Sequence, residues 1–317
     1  MLSLVIPVYK NEGSIAELVQ SILALETMLT DTLEVLFVVD GSPDNSYMLL
    51  REKLKTLALD AQLISLSRNY GSMVAIRAGL EAANGDFFAI IAADLQEPLE
   101  LVRDMFVVLS NDEADVVVGV REDRNDPLMT RLSSGVFWAL YRRFVVQDIP
   151  KGGVDVFGCN RKFRDDLIAL DERNSSLIAL IFWLGYSRKE IAYKRLKRKH
   201  GKSAWTFRKK LTYLMDSVFA FSDLPIRWLL TVGSLGLAFS LVFAVLILVS
   251  RYMGTIDVPG YAATILTVVF FGMINVIGLG IVGSYTWRAY ENTKGRPHYR
   301  ILKEHHFNPR EDAHNEM

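Results

Sequence analysis

Two stretches in the C-terminal third constrain any fold this chain adopts. Trp228 to Ser250 and Val258 to Trp287 carry no charged residue. Crossing the hydrocarbon core of a bilayer as a helix takes roughly 20 apolar residues, so both qualify as spans, predicted at about 228–250 and 262–287. The alternative is a pair of helices buried in protein. A short link, Arg251 to Asp257, joins them, so they form a hairpin. Arg208, Lys209, Lys210 and Arg227 precede the first span. Arg288, Lys294, Arg296, Arg300 and Lys303 follow the second, and the link holds Arg251 as its one basic residue. Basic residues favour the cytoplasmic side, which puts both ends of the hairpin and both termini there, in a multi-pass cell-membrane protein. Gly272, Gly278, Gly280 and Gly283 permit close helix approach, within the hairpin or between subunits.

The 317 residues leave room for about two domains. Lys+Arg 36 balances Asp+Glu 36, so net charge points to no partner, and no nucleic acid is expected. One cysteine, Cys159, excludes an internal disulfide framework and a multi-Cys metal site. The N-terminal MLSLVIPVYK is too short an apolar run, without a basic leader, for a signal peptide. His298, His305, His306 and His314 show no metal spacing, and the tail from Asn308 on reads as polar.

The first half alternates strand and helix. Leu2–Val8, Glu34–Val39, Leu63–Leu66, the run from Phe87 and Val116–Val118 read as strands. Helical patterns follow Ile15, Asp44 and Ser72. Unbroken apolar runs suit parallel strands buried on both faces, and the alternation is that of a doubly wound sheet. Ligands of such sheets bind beyond the carboxyl ends of the strands. Polar turns at Asp40, Arg68 and Asp94 follow three of these strands and are expected to converge on one edge. Asp94, with Gln96 two residues on, is either a hard oxygen ligand for a divalent cation that holds a diphosphate, or a cap for the helix opening near Pro98. No GxGxxG follows the first strand and there is no Walker motif, which removes two common nucleotide-binding solutions. Between Arg188 and Lys210 basic residues dominate, with Glu190 the one acid. Phe207, Leu211, Leu214, Met215, Val218 and Phe221 then fall on one helical face. They form either an interfacial helix on the membrane surface or a helix packed on the domain.

The segments VIPVYKNEGSI, VVDGSPDNS, LSRNYGSMVAIRAGLEAANGDFFAIIAADLQEP, KGGVDVFGCNRK and RKHGKSAW together resemble a family 2 glycosyltransferase. FSDLPIRW and YENTKGRPHY resemble its membrane-anchored branch, which moves a sugar from a nucleotide to a polyprenyl phosphate. The two-helix layout looks most like the bactoprenol glucosyltransferase type, with dolichol-phosphate mannose synthases as relatives. The resemblance implies an α/β GT-A domain with a doubly wound mixed sheet over residues 1–204. It implies an amphipathic juxtamembrane helix at 205–226, two transmembrane helices within 227–288 and a cytoplasmic tail at 289–317. The implied reaction is inverting transfer of a hexose, from UDP-glucose, to polyprenyl (undecaprenyl) phosphate, with Mg2+ or Mn2+ as cofactor and a homo-oligomer, as large as a tetramer, as the assembly.

By the same resemblance, Pro7, Tyr9 and Glu12 line the nucleotide end, Asp40 meets the base, and Arg68 belongs to the donor site. Asp94 and Gln96 match the metal motif, with an amide where an acid is usual. Asp155 sits where the family places an acid beside the acceptor, as base or as orienting group. Arg198, Lys202 and Ser203 belong to a loop that closes on the diphosphate. Arg208, Lys209, Lys210 and Arg227 face the acceptor and the membrane, and Met129–Val145 is expected on the acceptor side of the cleft. Two other readings are open to such a sequence. A processive polysaccharide synthase is disfavoured because no Gln-x-x-Arg-Trp occurs. A non-catalytic nucleotide-sugar-binding scaffold draws on Val39 and Gln96, where the family often has acids.

Overall fold

The apolar runs that mark strands in the sequence are buried on both faces in the computed structural model, which describes residues 1–122, 153–170, 176–196, 207–253 and 260–308, with residue 172 and a few positions between 135 and 150. Strands β1 (Leu2–Val8), β2 (Leu33–Val39), β3 (Ala61–Leu66) and β4 (Phe87–Ile90) are parallel, in the order β4-β1-β2-β3. Helices α1 (Ile15–Met28), α2 (Ser46–Leu54) and α3 (Ser72–Ala82) connect them, and α4 (Leu99–Ser110) follows β4. Side chains alternate along each strand. Leu2, Leu4, Ile6 and Val8 join α1 and α4 in one core layer, while Val5, Phe88 and Ile90 join a second layer on the opposite face.

Pro7 sits inside a central strand, where a missing N–H normally costs a ladder bond. The Val5 carbonyl accepts from Ile91 and that of Val8 from Asp40, so residues of Val5's parity face β4. Pairing with β4 ends at Val5, so Pro7 faces that side without a bond to lose.

The sheet grows beyond these four strands. β5 (Val116–Arg121) and the antiparallel β6 (Phe157–Asn160) extend one side, and β7 (Arg188–Tyr193) runs parallel to β5 at that edge. β8 (Ile301–Phe307) pairs antiparallel with β3 at the other edge. The sheet is therefore mixed and eight-stranded, in the order β7-β5-β6-β4-β1-β2-β3-β8. Residues 301–307 thus form a strand of this sheet within the segment that the sequence reading placed in a tail. Helices α5 (Arg161–Ala169) and α6 (Leu177–Trp183) cover the second core layer.

Helix α7 (Phe207–Phe221) packs part of its apolar face on the domain. Leu214, Val218 and Phe221 pack on the domain, while Leu211 and Met215 remain exposed. Half-buried Tyr213 joins a hydroxyl network with Ser176, Tyr141 and Ser217. The chain then bends by 78° into α8 (Leu224–Tyr252), and α9 (Tyr261–Thr293) returns. A Cβ at Gly278 would stand 3.3 Å from Leu229, and one at Gly236 3.3 Å from the Phe271 ring. These contacts make the two helices antiparallel neighbours. Of the four glycines singled out in the sequence, Gly278 lies at this contact, whereas Gly272, Gly280 and Gly283 have nothing within 4 Å among the described residues. Within α9, Phe270–Thr293 is long and apolar enough to cross a membrane. Near its end, Arg288 pairs with Asp216 of α7 at 2.7 Å and the Tyr285 hydroxyl donates to the Ser222 carbonyl at 3.1 Å.

Candidate active site

Four loops leave the carboxyl ends of β1 to β4 along one sheet edge. The first two are stapled together. Lys10 takes a left-handed backbone (φ 56°), which turns its N–H to the Ser42 hydroxyl at 2.8 Å. Glu12 donates its N–H to Asp44 and accepts from the Asn45 N–H at 3.0 Å. Burial raises the Asp44 carboxyl, but hydrogen bonds from Ser42, Ser46 and the Glu12 backbone outweigh it and hold the group low. Glu12, expected to line the nucleotide end, here bridges the first two loops, and Tyr9 opens the first of them by donating its N–H to the Asn11 side chain at 3.0 Å.

Asp40 is buried at the end of β2, and its two carboxylate oxygens accept the N–H groups of Tyr70 at 2.7 Å and Gly71 at 2.8 Å. Desolvation raises its pKa, and the two backbone bonds oppose that rise. The acid therefore holds the loop after β3. Gly41 makes that approach possible: its φ is +54°, and a Cβ there would lie 2.2 Å from the Arg68 carbonyl carbon. Arg68 itself is exposed, with its guanidinium 4.4 Å from the centre of the Tyr70 ring.

A second group gathers around the end of β4. Ser14 donates to the Ala93 carbonyl at 2.8 Å and ties the β1 loop to the turn carrying Asp94. Leu95 takes a left-handed conformation (φ 56°), unusual for a branched residue and a sign of local strain. Asp94 accepts the Gln96 N–H at 3.3 Å across this turn. Gln96 faces the segment after β7: its carbonyl oxygen accepts from Arg195 at 2.7 Å, and its amide donates to the Leu196 carbonyl at 3.3 Å. One residue on, Glu97 is buried with its Oε1 4.0 Å from Arg195 and its Oε2 without a hydrogen-bond partner among the described residues. Desolvation first, then the charges of Asp94 and Asp155, push its carboxyl up to about 7 against the pull of Arg195 and Arg121.

Asp155 follows Gly153, where φ is +73° and a Cβ would collide with Trp138. Its carboxylate pairs with Arg121, and the Tyr193 hydroxyl donates to it at 3.4 Å. Arg121 and Tyr193 face each other in the β5–β7 register. Burial and the charges of Asp155 and Glu97 raise the Tyr193 phenol well above its ordinary value. Asp94, Glu97, Asp155, Arg121, Tyr193 and Arg195 thus form one electrostatic cluster of three acids, two guanidinium groups and a phenol.

Sequence reasoning named Asp94, Gln96 and Asp155 in this cluster. It missed Glu97, although that residue adjoins the Asp94-Leu95-Gln96 turn, and it missed Arg121, Tyr193 and Arg195, which strand pairing brings in from far along the chain. Arg198, Lys202 and Ser203 lie outside the described residues, as does most of Met129–Val145. Arg208, Lys209 and Lys210 lie in the first turn of α7. Arg227, at the start of α8, pairs with Asp223 one turn earlier at 2.8 Å on an exposed surface. No group of three or more His, Cys, Asp or Glu side chains among the described residues is arranged to hold a metal by itself.

Comparison with known proteins agrees with this architecture. The family model described as Glycosyl transferase family 2 matches residues 3–169. The chain is 32% identical over 302 residues to the putative glycosyltransferase CsbB of Bacillus subtilis, across 95% of this chain and 91% of that protein. It is 27% identical over 312 residues to the SfII prophage-derived bactoprenol glucosyl transferase of Shigella flexneri, across 97% and 99% of the two chains. Among solved structures, the mannosyltransferase PcManGT from Pyrobaculum calidifontis in complex with GDP-Man and Mn2+ superposes with a TM-score of 0.50 at 17% identity, over 91% of this chain and 84% of that one, a likeness of fold. The chain accordingly belongs to glycosyl transferase family 2, as a glycosyltransferase on the GT-A fold.

Proposed function

We propose that this enzyme transfers a hexose, with inversion, from a nucleoside diphosphate sugar to polyprenyl phosphate at the cytoplasmic face of the cell membrane, with UDP-glucose as donor. The observation that carries this reading is the similarity to a bactoprenol glucosyl transferase over 97% of this chain, helices included. The geometry supports it. Both ends of the α8–α9 pair are tied to the catalytic domain, one through α7 and the other through the Arg288–Asp216 pair and β8. A hairpin anchored at both feet keeps the sheet edge near the membrane surface, where a lipid phosphate is confined. A homo-oligomer is part of the proposal, as is a donor edge formed by Pro7, Tyr9, Glu12, Asp40 and Arg68, with Arg198, Lys202 and Ser203 closing over the diphosphate.

In the reaction, a phosphate oxygen of the acceptor attacks the anomeric carbon, a new C–O bond forms, and the bond to the nucleoside diphosphate breaks. A phosphomonoester has a second pKa near 6 and is largely ionised at pH 7, so it needs no strong base. Asp155 is already paired with Arg121, which suits an orienting role better than proton abstraction. The donor set fits a divalent cation carried mainly by the diphosphate: Asp94 offers one carboxylate, and the Gln96 carbonyl is engaged with Arg195. Mg2+ or Mn2+ there would offset the charge of the departing diphosphate.

The test is transfer of radiolabelled sugar from a panel of UDP- and GDP-sugars into an organic-extractable lipid. It uses the full-length protein, undecaprenyl phosphate and Mg2+, with Asp94→Ala and Asp155→Ala alongside. Lipid label from one donor, abolished in Asp94→Ala, is the expected result and names the sugar. Folded protein that binds a nucleotide yet labels no lipid with any donor refutes the polyprenyl reading and favours a non-catalytic scaffold.

A further inference from the structure

The C-terminal strand begins at the carboxyl end of β3, beside the loop that carries Arg68. β8 pairs with β3 up to Leu66, with a register shift between Ser65 and Leu66. Just past that shift, Ser67 donates its N–H to the Arg300 carbonyl at 2.9 Å. Tyr299 packs on the small core layer of Val38, Ile64, Leu66, Ala75 and Ala78, beside Tyr70, and its hydroxyl donates to Glu81 at 2.5 Å. Tyr70 is held from three sides. Its N–H donates to Asp40, its hydroxyl lies 3.0 Å from the Ser67 hydroxyl and meets the Arg300 backbone, and its ring lies under the Arg68 guanidinium.

We propose that the segment after α9, through Tyr299 and Arg300, is a positioning element of the donor site: it fixes the Ser67–Gly71 loop, and Tyr70 in turn sets Arg68 for the nucleotide sugar. The proposal rests on reading the Asp40–Arg68 edge as the nucleotide site. Ser67, Arg68 and Asn69 of the loop are polar and exposed. Ordering such side chains on binding costs roughly 0.5–1.5 kcal/mol each, and a loop already pinned to a strand avoids part of that cost. Arg300 lies a short stretch of chain beyond Thr293, where α9 ends, so the hydrogen bond from Ser67 to its carbonyl ties the donor loop to the segment leaving that helix.

The experiment compares the full-length protein with Tyr70→Phe, Tyr299→Phe and a truncation after residue 297. Each is titrated with UDP, GDP and UDP-glucose and assayed for donor and acceptor KM, and melting is followed in parallel. The two point variants keep their rings and remove single hydroxyl groups, so they report even where the truncation fails to fold. The expected result is a three- to tenfold rise in donor Kd and KM, with acceptor KM within twofold of the native value. Native nucleotide affinity in both point variants overturns the proposal, as does a loss shared equally by donor and acceptor. A native protein that binds no nucleotide overturns the underlying reading of the edge itself.

Discussion

Replacing Glu97 by glutamine should remove a pH-dependent weakness of the native fold. Glu97 is buried, one oxygen has no hydrogen-bond partner among the described residues, and Asp94 and Asp155 lie close by. Desolvation and these two charges favour the protonated acid and hold it at about 7, against an ordinary value of 4.5. Below pH 4.5 the folded and unfolded chains both carry the proton, and the site costs nothing. Between 4.5 and 7 the unfolded chain releases it while the folded chain retains it, so stability falls as pH rises. Above 7 the penalty is complete, at roughly 3 kcal/mol for a difference of this size. Glutamine has the same shape and never ionises. The melting temperature of Glu97→Gln minus that of the native protein should therefore be smallest at pH 5, where the penalty is still below about 1 kcal/mol, and climb to roughly 5 °C at pH 8. The assay is thermal unfolding of full-length protein in detergent at pH 5, 6, 7 and 8, without nucleotide or divalent cation. A difference that stays flat over this range, or that falls with pH, refutes the reasoning.

Three further outcomes follow from the geometry. Gly41→Ala places a Cβ 2.2 Å from the Arg68 backbone at a positive φ, so it should cost at least about 2 kcal/mol and weaken UDP binding, measured by melting and titration. Asp155→Asn and Arg121→Gln should each reduce sugar transfer, and the double variant should lose less than the sum, with a coupling of roughly 1–3 kcal/mol from a double-mutant cycle on kcat/KM. Tyr213→Phe removes the hydroxyl that joins Ser176 and leaves a buried polar group short of a partner, so it should cost about 1–3 kcal/mol in thermal unfolding without changing donor KM.

The parallel strands were legible because burial on both faces leaves an unbroken apolar run. Leu2–Val8 needs no context to be read, and Glu34–Val39 and Phe87 onward differ from the structure by a residue or a few. Asp40 and Asp94 were legible for a related reason: a carboxylate at the end of a buried run is conspicuous, and the fold sends those ends to one edge, whereas Asp155 precedes β6 and was picked out through the family resemblance alone. β7 and β8 were not legible. Their sequences, RKEIAY and ILKEHHF, carry the charges that edge strands use to stay soluble, so they read as a basic stretch and a polar tail. Their strand character comes from the backbone of β5 and β3 and not from their own periodicity.

The same two strands complete both halves of the site. β7 delivers Tyr193, and Arg195 just beyond it, to Asp155, Glu97 and Gln96. The turn into β8 delivers the Arg300 carbonyl to Ser67. An acid in a family motif can be found from local sequence, because the motif is local. The cations and carbonyls that hold it, or the loop beside it, arrive through pairing of residues some 70 or more positions apart, as Arg121 with Tyr193 and Leu66 with Ile301. Gln96 shows what this changes. As an isolated amide at a metal position it reads as a weakened ligand. Bound to Arg195, it is a contact between the β4 turn and the segment that leads into residues 198–203. Its substitution should therefore be judged by the position of that segment as much as by cation affinity.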